Sequence, residues 1–197
     1  MAASYNDWKK RAHAHLAEGR AIDALSCFRK AARMQPRARE PFSGIAESLW
    51  RLGKLHEAIA AWREAATRMP NYLPTWQALA EAATFVGDDA LALQAATRIL
   101  ATSPNDARAR FIDASALLAD AAQPGTQCDA TQLDAACSTL AGLVETAPAI
   151  VRTPHMAQAL ARALSKCAAD SCLSLRRALA AFADTMALDL VAQVASF

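Results

Sequence analysis

Aromatic residues make up only 6% of this 197-residue chain, and glycine occurs six times. The hydrophobic fraction is nonetheless 54%, much of it alanine. Scarce rings and many small side chains leave little material for a bulky aromatic core and suit helices that approach closely. No apolar run reaches the roughly 18–20 residues of a membrane span. The opening MAASYNDWKK has no apolar stretch behind a basic flank, so it does not read as a secretory signal. The expected location is the cytoplasm, or the periplasm if a leader was removed. Missing too are a Gly-rich phosphate loop, a His-Glu-x-x-His zinc helix and a Gly-x-Ser-x-Gly elbow. The expectation is therefore no enzyme, no catalytic residue, no metal and no cofactor.

Charge of one sign is also lacking. Lys and Arg number 21 against 19 Asp and Glu, a formal net charge of +2, so the chain as a whole is not a binder of nucleic acid. The distribution is uneven: residues 5–38 carry eight basic against three acidic side chains. That reads as a solvated N-terminal face, with a docking patch for an acidic partner as the alternative. The four histidines, His13, His15, His56 and His155, do not form a ligand set. His13 and His15 would project about 200° apart on a helix, too far apart to share a metal.

Five cysteines is an odd number, and the intracellular default is a reduced, buried thiol. Two pairs are close enough in sequence to be candidate disulfides. Cys167 and Cys172 flank Ala-Ala-Asp-Ser, an expected inter-helix turn, and Cys128 and Cys137 flank the end of an unusual loop. No histidine stands at zinc-ligand spacing from either pair.

What the chain does have is a step of 34 residues. Gly19, Gly53 and Gly87 keep it, as do Ala24, Ala58 and Ala92, and Pro36, Pro70 and Pro104. Helical patterning between such punctuation marks predicts stacked helix-turn-helix units. Ser4 with Asp7 caps a helix from about Tyr5 to Ala17, Gly19 closes it, a second helix runs about Ala21–Met34, and Pro36 turns the chain.

In the first unit, Trp8, Gly19, Ala24, Phe28, Ala31 and Pro36 stand at a spacing that resembles the tetratricopeptide repeat. Phe42, Gly53, Ala58, Trp62, Ala65 and Pro70 repeat it, and then Trp76, Leu79, Ala80, Gly87, Ala92 and Pro104. The third copy departs at Ala96 and Ile99, where a larger aromatic and a small alanine are usual. The resemblance implies an all-α solenoid, a right-handed superhelix of about 9–10 helices forming one continuous domain. Three regular units fill 1–106, at 5–38, 39–72 and 73–106. A degenerate fourth unit, 107–148, carries an inserted loop at about 121–130, with Ala136, Leu140, Leu143 and Pro148 restoring the spacing. Residues 149–197 form C-terminal helices that cap the solenoid or make an interface. Among them, Thr153-Pro154 starts one helix, Asp170 or Ser171 caps a second that runs to about Ala183, and a last short one covers about Thr185–Val194.

The resemblance also implies a concave face lined by the first helix of each unit. The inward positions are Asn6, Lys9, His13 and Leu16; then Glu40, Ser43, Glu47, Trp50 and Arg51; then Gln77, Glu81, Thr84 and Phe85; and then Arg108, Phe111, Ser115 and Leu118. Of these, Lys9, His13, Glu47, Trp50, Arg51, Gln77, Glu81, Phe85, Arg108 and Phe111 are the candidate partner-binding residues. Aromatics beside fixed charges suit a peptide or helix with apolar anchors and a Lys or Arg. Family members that grip the terminal carboxylate of heat-shock chaperones resemble one another in a Lys/Asn clamp. Lys9 matches its first lysine, but the remaining positions read His13, Gly44, Pro74 and Ala78. These lack the donors that bind a carboxylate, so that activity is not expected.

The leading functional expectation is a non-catalytic protein-interaction scaffold. Alternatives are a recruiting arm of a larger bacterial glycosyltransferase, sulfotransferase or methyltransferase, an assembly chaperone for secretion or cytochrome maturation, and self-association as a homodimer. Ala-rich composition suggests a bacterial source.

Overall fold

The structure, a computed structural model, describes residues 3–38, 40–121, 130–166 and 172–186. The described residues form eleven helices and no strand, one helix more than the upper expectation. They fall into two compact units, residues 1–82 and residues 83–197.

The first unit contains α1 (Tyr5–Ala17), α2 (Ala21–Met34), α3 (Glu40–Arg51), α4 (Leu55–Arg68) and most of α5 (Leu73–Val86). The Ser4 hydroxyl accepts from the Asp7 amide, and the Asp7 carboxylate takes the Ser4 backbone N–H at 2.8 Å, a reciprocal cap at the start of α1. These hydrogen bonds with Ser4 hold the Asp7 carboxyl below its usual value. α1 ends at Gly19, whose φ is +77°. There the Arg20 amide reaches back to the His15 carbonyl and the Gly19 amide to Leu16, the two bonds of a Schellman turn. The same pair recurs at Gly53, through Lys54 to Leu49 and Gly53 to Trp50, and at Gly87, through Asp88 to Ala83 and Gly87 to Thr84. Gly53 and Gly87 are likewise left-handed, with φ of +72° and +81°. The 34-residue glycine step is thus a step between identical backbone turns. The second helices α2 and α4 begin at Ala21 and Leu55 and end at Met34 and Arg68, keeping the same interval.

Small residues let these helices meet. Ala24, Ala31, Ala58 and Ala65 are fully buried. Gly44 matters most: a Cβ there would lie 2.4 Å from the Phe28 ring. Phe28 is itself completely buried, so α3 seats on α2 only because position 44 has no side chain. Lys30 and Arg11 both lie over the Trp8 ring, at 4.2 and 5.3 Å from its centroid. Part of the basic N-terminal face is therefore engaged with its own aromatic.

The second unit opens with the last turn of α5 and continues through α6 (Asp89–Thr102), α7 (Ala107–Ala121), α8 (Ala130–Thr146), the single turn α9 (Pro148–Val151), α10 (Pro154–Lys166) and α11 (Leu173–Met186). Asp88 caps α6 through the Leu91 amide, and Asp106 caps α7 through the Ala109 amide. α7 packs against α6, α8 and α10, while α11 packs on α8. Ala136, Leu140 and Leu143 are buried on α8. α10 begins at Pro154 and runs to Lys166, with Thr153 in the N-cap position and its carbonyl accepting from the Ala157 amide at 3.0 Å. The Thr153 hydroxyl donates to the Ile150 carbonyl at 2.6 Å, tying the cap to the α9 turn. α11 continues to Met186, so Thr185 belongs to it rather than opening a separate helix. The inserted loop, the Asp170 or Ser171 cap and the remainder of the expected last helix lie outside the described residues.

Candidate functional site

The first unit has a cleft of about 340 Å³. α1 contributes His13 and Leu16, and α3 contributes Glu40, Ser43, Gly44 and Glu47, all on one side of that helix at spacings of three and four. Trp62 of α4, Tyr72 before α5, and Pro74, Thr75 and Ala78 of α5 complete it.

Its polar groups are held by one another. Lys9 Nζ donates to Glu40 Oε2 at 2.7 Å, and His13 Nε2 lies 3.2 Å from Glu40 Oε1. Burial works against the Glu40 charge, but the hydrogen bonds and charges of Lys9 and His13 outweigh it, and the carboxyl sits below its usual value. The hydrogen bond with Glu40 correspondingly raises the Lys9 ammonium above its usual value. His13 is fixed a second way, edge-on to the Phe28 ring at 5.2 Å. Arg51 Nε donates to Glu47 Oε1 at 2.8 Å, and its Nη1 reaches the Leu16 carbonyl at 2.6 Å, tying α3 to the end of α1. Ser43 and Thr75 face each other across the floor at 3.5 Å.

Of the candidate partner-binding residues, His13 and Glu47 line this cleft, with Lys9 and Arg51 at its margin through their ion pairs. Trp50 packs its ring against Trp62 at 5.7 Å and is half-buried. Gln77 and Glu81 lie on α5 outside the lining. The positions that read as a failed carboxylate clamp, His13, Gly44, Pro74 and Ala78, do come together here. The register of these positions was legible in the sequence. Tyr72 and Trp62 are additions that an inward-phase reading of first helices alone cannot find, because one sits in a turn and the other on a second helix.

In the second unit the expected groove wall is covered by the chain itself. Phe111 is 0% exposed, as is Leu118, because α7 is enclosed by α6, α8 and α10. Phe111 is core, which corrects its assignment to a partner surface. Phe85 is 48% exposed, yet its ring lies 6.3 Å from the His155 ring of α10. Arg162, also of α10, donates to the Thr84 carbonyl at 3.0 Å and lies 3.6 Å from Asp89. Arg108 is exposed on α7. A further cleft of about 410 Å³ lies among α6, α7 and α8, with Leu100, Pro104, Leu117 and Asp113 in its lining. Burial raises the Asp113 carboxyl above its usual value, with the Thr97 hydroxyl at 3.4 Å offsetting part of that shift.

Cys128 and Cys167 lie outside the described residues. Among those described, no group of three or more His, Cys, Asp or Glu is placed to hold a metal ion. No described helix is long and apolar enough to cross a membrane.

No family model matches the chain, and no curated protein matches it. Solved structures do. MamA (residues 41 to the end) from Desulfovibrio magneticus RS-1 is similar with a TM-score of 0.70 at 18% identity, over 96% of this chain and 99% of that one. YrrB, described as a TPR protein with an unusual peptide-binding site, matches with a TM-score of 0.74 at 19% identity, over 98% of this chain and 92% of that one. The fold is that of tetratricopeptide-repeat proteins. A tetratricopeptide-repeat protein from Parabacteroides merdae matches as well, with a TM-score of 0.69 at 14% identity, over 97% of this chain and 70% of that one. At such identities the likeness concerns the backbone, and the side chains that differ decide what each protein holds.

Proposed function

We propose that this chain is a non-catalytic interaction scaffold that binds a peptide or helix of a partner protein in the cleft between α1, α3 and α5. The cleft itself carries the reading. It is concave, preformed and walled by helices, and it sets apolar surface from Leu16, Pro74 and Ala78 beside the carboxylates of Glu40 and Glu47. Rigid walls lower the ordering cost of binding. Glu40 has both oxygens engaged by Lys9 and His13, whereas Arg51 takes Oε1 of Glu47. A Lys or Arg of the ligand would therefore pair best with Glu47, and an apolar residue would sit over Ala78 and Pro74. The peptide-binding site ascribed to the similar YrrB supports the same class of ligand. No nucleic acid or membrane surface is needed as a partner.

A phage-displayed peptide library panned against the immobilised protein tests this. Enriched peptides should combine an apolar anchor with Lys or Arg. Ala78→Arg should abolish their binding by filling the cleft. Glu47→Gln should weaken it roughly tenfold, the worth of one charge-assisted hydrogen bond, with the melting temperature unchanged. Peptides that bind Ala78→Arg as well as wild type would place recognition elsewhere.

A further inference from the structure

Cys137 lies on α8, and Cys172 immediately precedes α11. The Cys137 thiol points at the Cys172 sulfur with an Sγ–Sγ distance of 2.9 Å, closer than non-bonded sulfurs ordinarily pack. Both residues are at most 2% exposed, within the surface where α11 packs on α8. On the same two helices Leu140, Leu175 and Leu179 are each fully buried. These two helices are brought together by side-chain packing, and the thiol pair is already aligned across that contact.

We propose that Cys137 and Cys172 form an intramolecular disulfide under oxidising conditions, stapling α11 to α8. The oxidant is a small disulfide such as oxidised glutathione. One cysteine thiolate attacks a sulfur of the oxidant, forming a mixed disulfide and releasing one glutathione thiolate. The second cysteine thiolate then attacks the mixed disulfide at the protein sulfur and releases the other glutathione. Two protein thiols lose two electrons and two protons, and one glutathione disulfide becomes two thiols. Burial makes the first attack slow, so the exchange runs over hours rather than seconds. The bond would join positions 35 residues apart and remove loop entropy from the unfolded chain.

The pairing differs from both pairs suggested by sequence proximity, Cys128 with Cys137 and Cys167 with Cys172, and one digest separates the three. The folded, reduced full chain is incubated with oxidised glutathione, blocked with N-ethylmaleimide in denaturant, and cut with trypsin and Asp-N together. Asp129, Asp134 and Asp170 with Arg152, Arg162 and Lys166 put all four of these cysteines on separate peptides. The expected product is a linked pair, 134–152 with 170–176. Oxidation should also raise the melting temperature on the order of 10 °C, and Cys172→Ala should abolish the rise. A link between Cys128 and Cys137 or between Cys167 and Cys172, glutathione adducts alone, or five alkylated thiols would each overturn the proposal.

Discussion

The two units use the first helix of a repeat in different ways. In residues 1–82, α1 and α3 leave His13, Glu40 and Glu47 along an open cleft. In residues 83–197, the corresponding helix α7 carries α10 on its surface, and Phe111, at the inward phase, is fully enclosed. Both units answer the same problem. A helix pair cannot bury its apolar face alone and must be covered by a neighbour or a ligand. Where the repeats are regular, the inward face is polar enough to stand in water. Where regularity ends, an apolar face calls for cover, and the chain supplies its own. The cleft proposed for a partner peptide is accordingly the one in the first unit.

Phe111→Ala breaks this comparison most severely. If Phe111 were a groove residue, the variant would lose ligand and keep its stability. As a core ring it should cost about 3–5 kcal/mol in urea denaturation followed by circular dichroism, with peptide binding in the first unit unchanged while the protein remains folded.

Gly44→Ala should be next, at about 3 kcal/mol, the upper end for overpacking. The added methyl meets a ring that has nowhere to go. All four tryptophans, Trp8, Trp50, Trp62 and Trp76, belong to the first unit, so the urea midpoint of tryptophan emission reads the loss directly. Replacing Phe28 by Leu in the same chain should recover part of it. A single variant with unchanged midpoint would mean that α3 is not seated on Phe28.

Position 44 also marks the limit of what the sequence discloses. The 34-residue step was readable because it is written in local backbone chemistry: a left-handed glycine, a Schellman turn and a proline do not depend on distant residues. The second-helix position held by Phe28, then Trp62, then Ala96 reads as an irregular series. One helix on, the register gives Gly44, then Ala78, then Ile112. The large residue stands on the second helix in the first two pairs and on the following helix in the third. Phe28 meets a glycine, Trp62 shares a cleft wall with Ala78, and the small Ala96 is followed by the buried Ile112. The departure at Ala96 thus coincides with a larger buried residue at the matching position of the next helix, which a one-column comparison of repeats cannot reveal. Nor could it reveal that Phe111 is covered, because the cover, α10, lies beyond the last recognisable repeat. The pairing of Cys137 with Cys172 was hidden for the same reason, since it depends on where α11 docks.

The glycine turns sharpen the comparison from the other side, because here the units should behave alike. Gly53 and Gly87 have the same left-handed backbone, and a Cβ would meet nothing within 4 Å at Gly53 and only ordinary contact with Arg162 at Gly87. Gly53→Ala and Gly87→Ala should each cost about 1–2 kcal/mol, the penalty for an L side chain in that region. A much larger loss at Gly87, by thermal or urea melting, would mean that Arg162 is held too firmly to yield.

The smallest effects should have opposite signs in the two units. Glu40 titrates below its usual 4.5 in the folded chain, so its pairing contributes stability above that value and loses it as pH falls through the lower, folded value. The pair is partly exposed, with side-chain exposures of 26% for Lys9 and 42% for Glu40, so solvent screens it and the contribution is small. Glu40→Gln should lower the urea midpoint slightly at pH 7 and have no effect once wild-type Glu40 is protonated. Asp113 is the reverse case. Its carboxyl is raised above 3.8 by burial, so ionisation costs stability above the folded value, and that cost vanishes below the unfolded one. Asp113→Asn should therefore raise the midpoint at pH 7, by about 0.5–1 kcal/mol or less, and the gain should shrink as pH falls toward 3. If both variants moved the midpoint in the same direction across that range, the two carboxylates would share one environment. The distinction between a paired acid on an open cleft and a desolvated acid among α6, α7 and α8 would then fail.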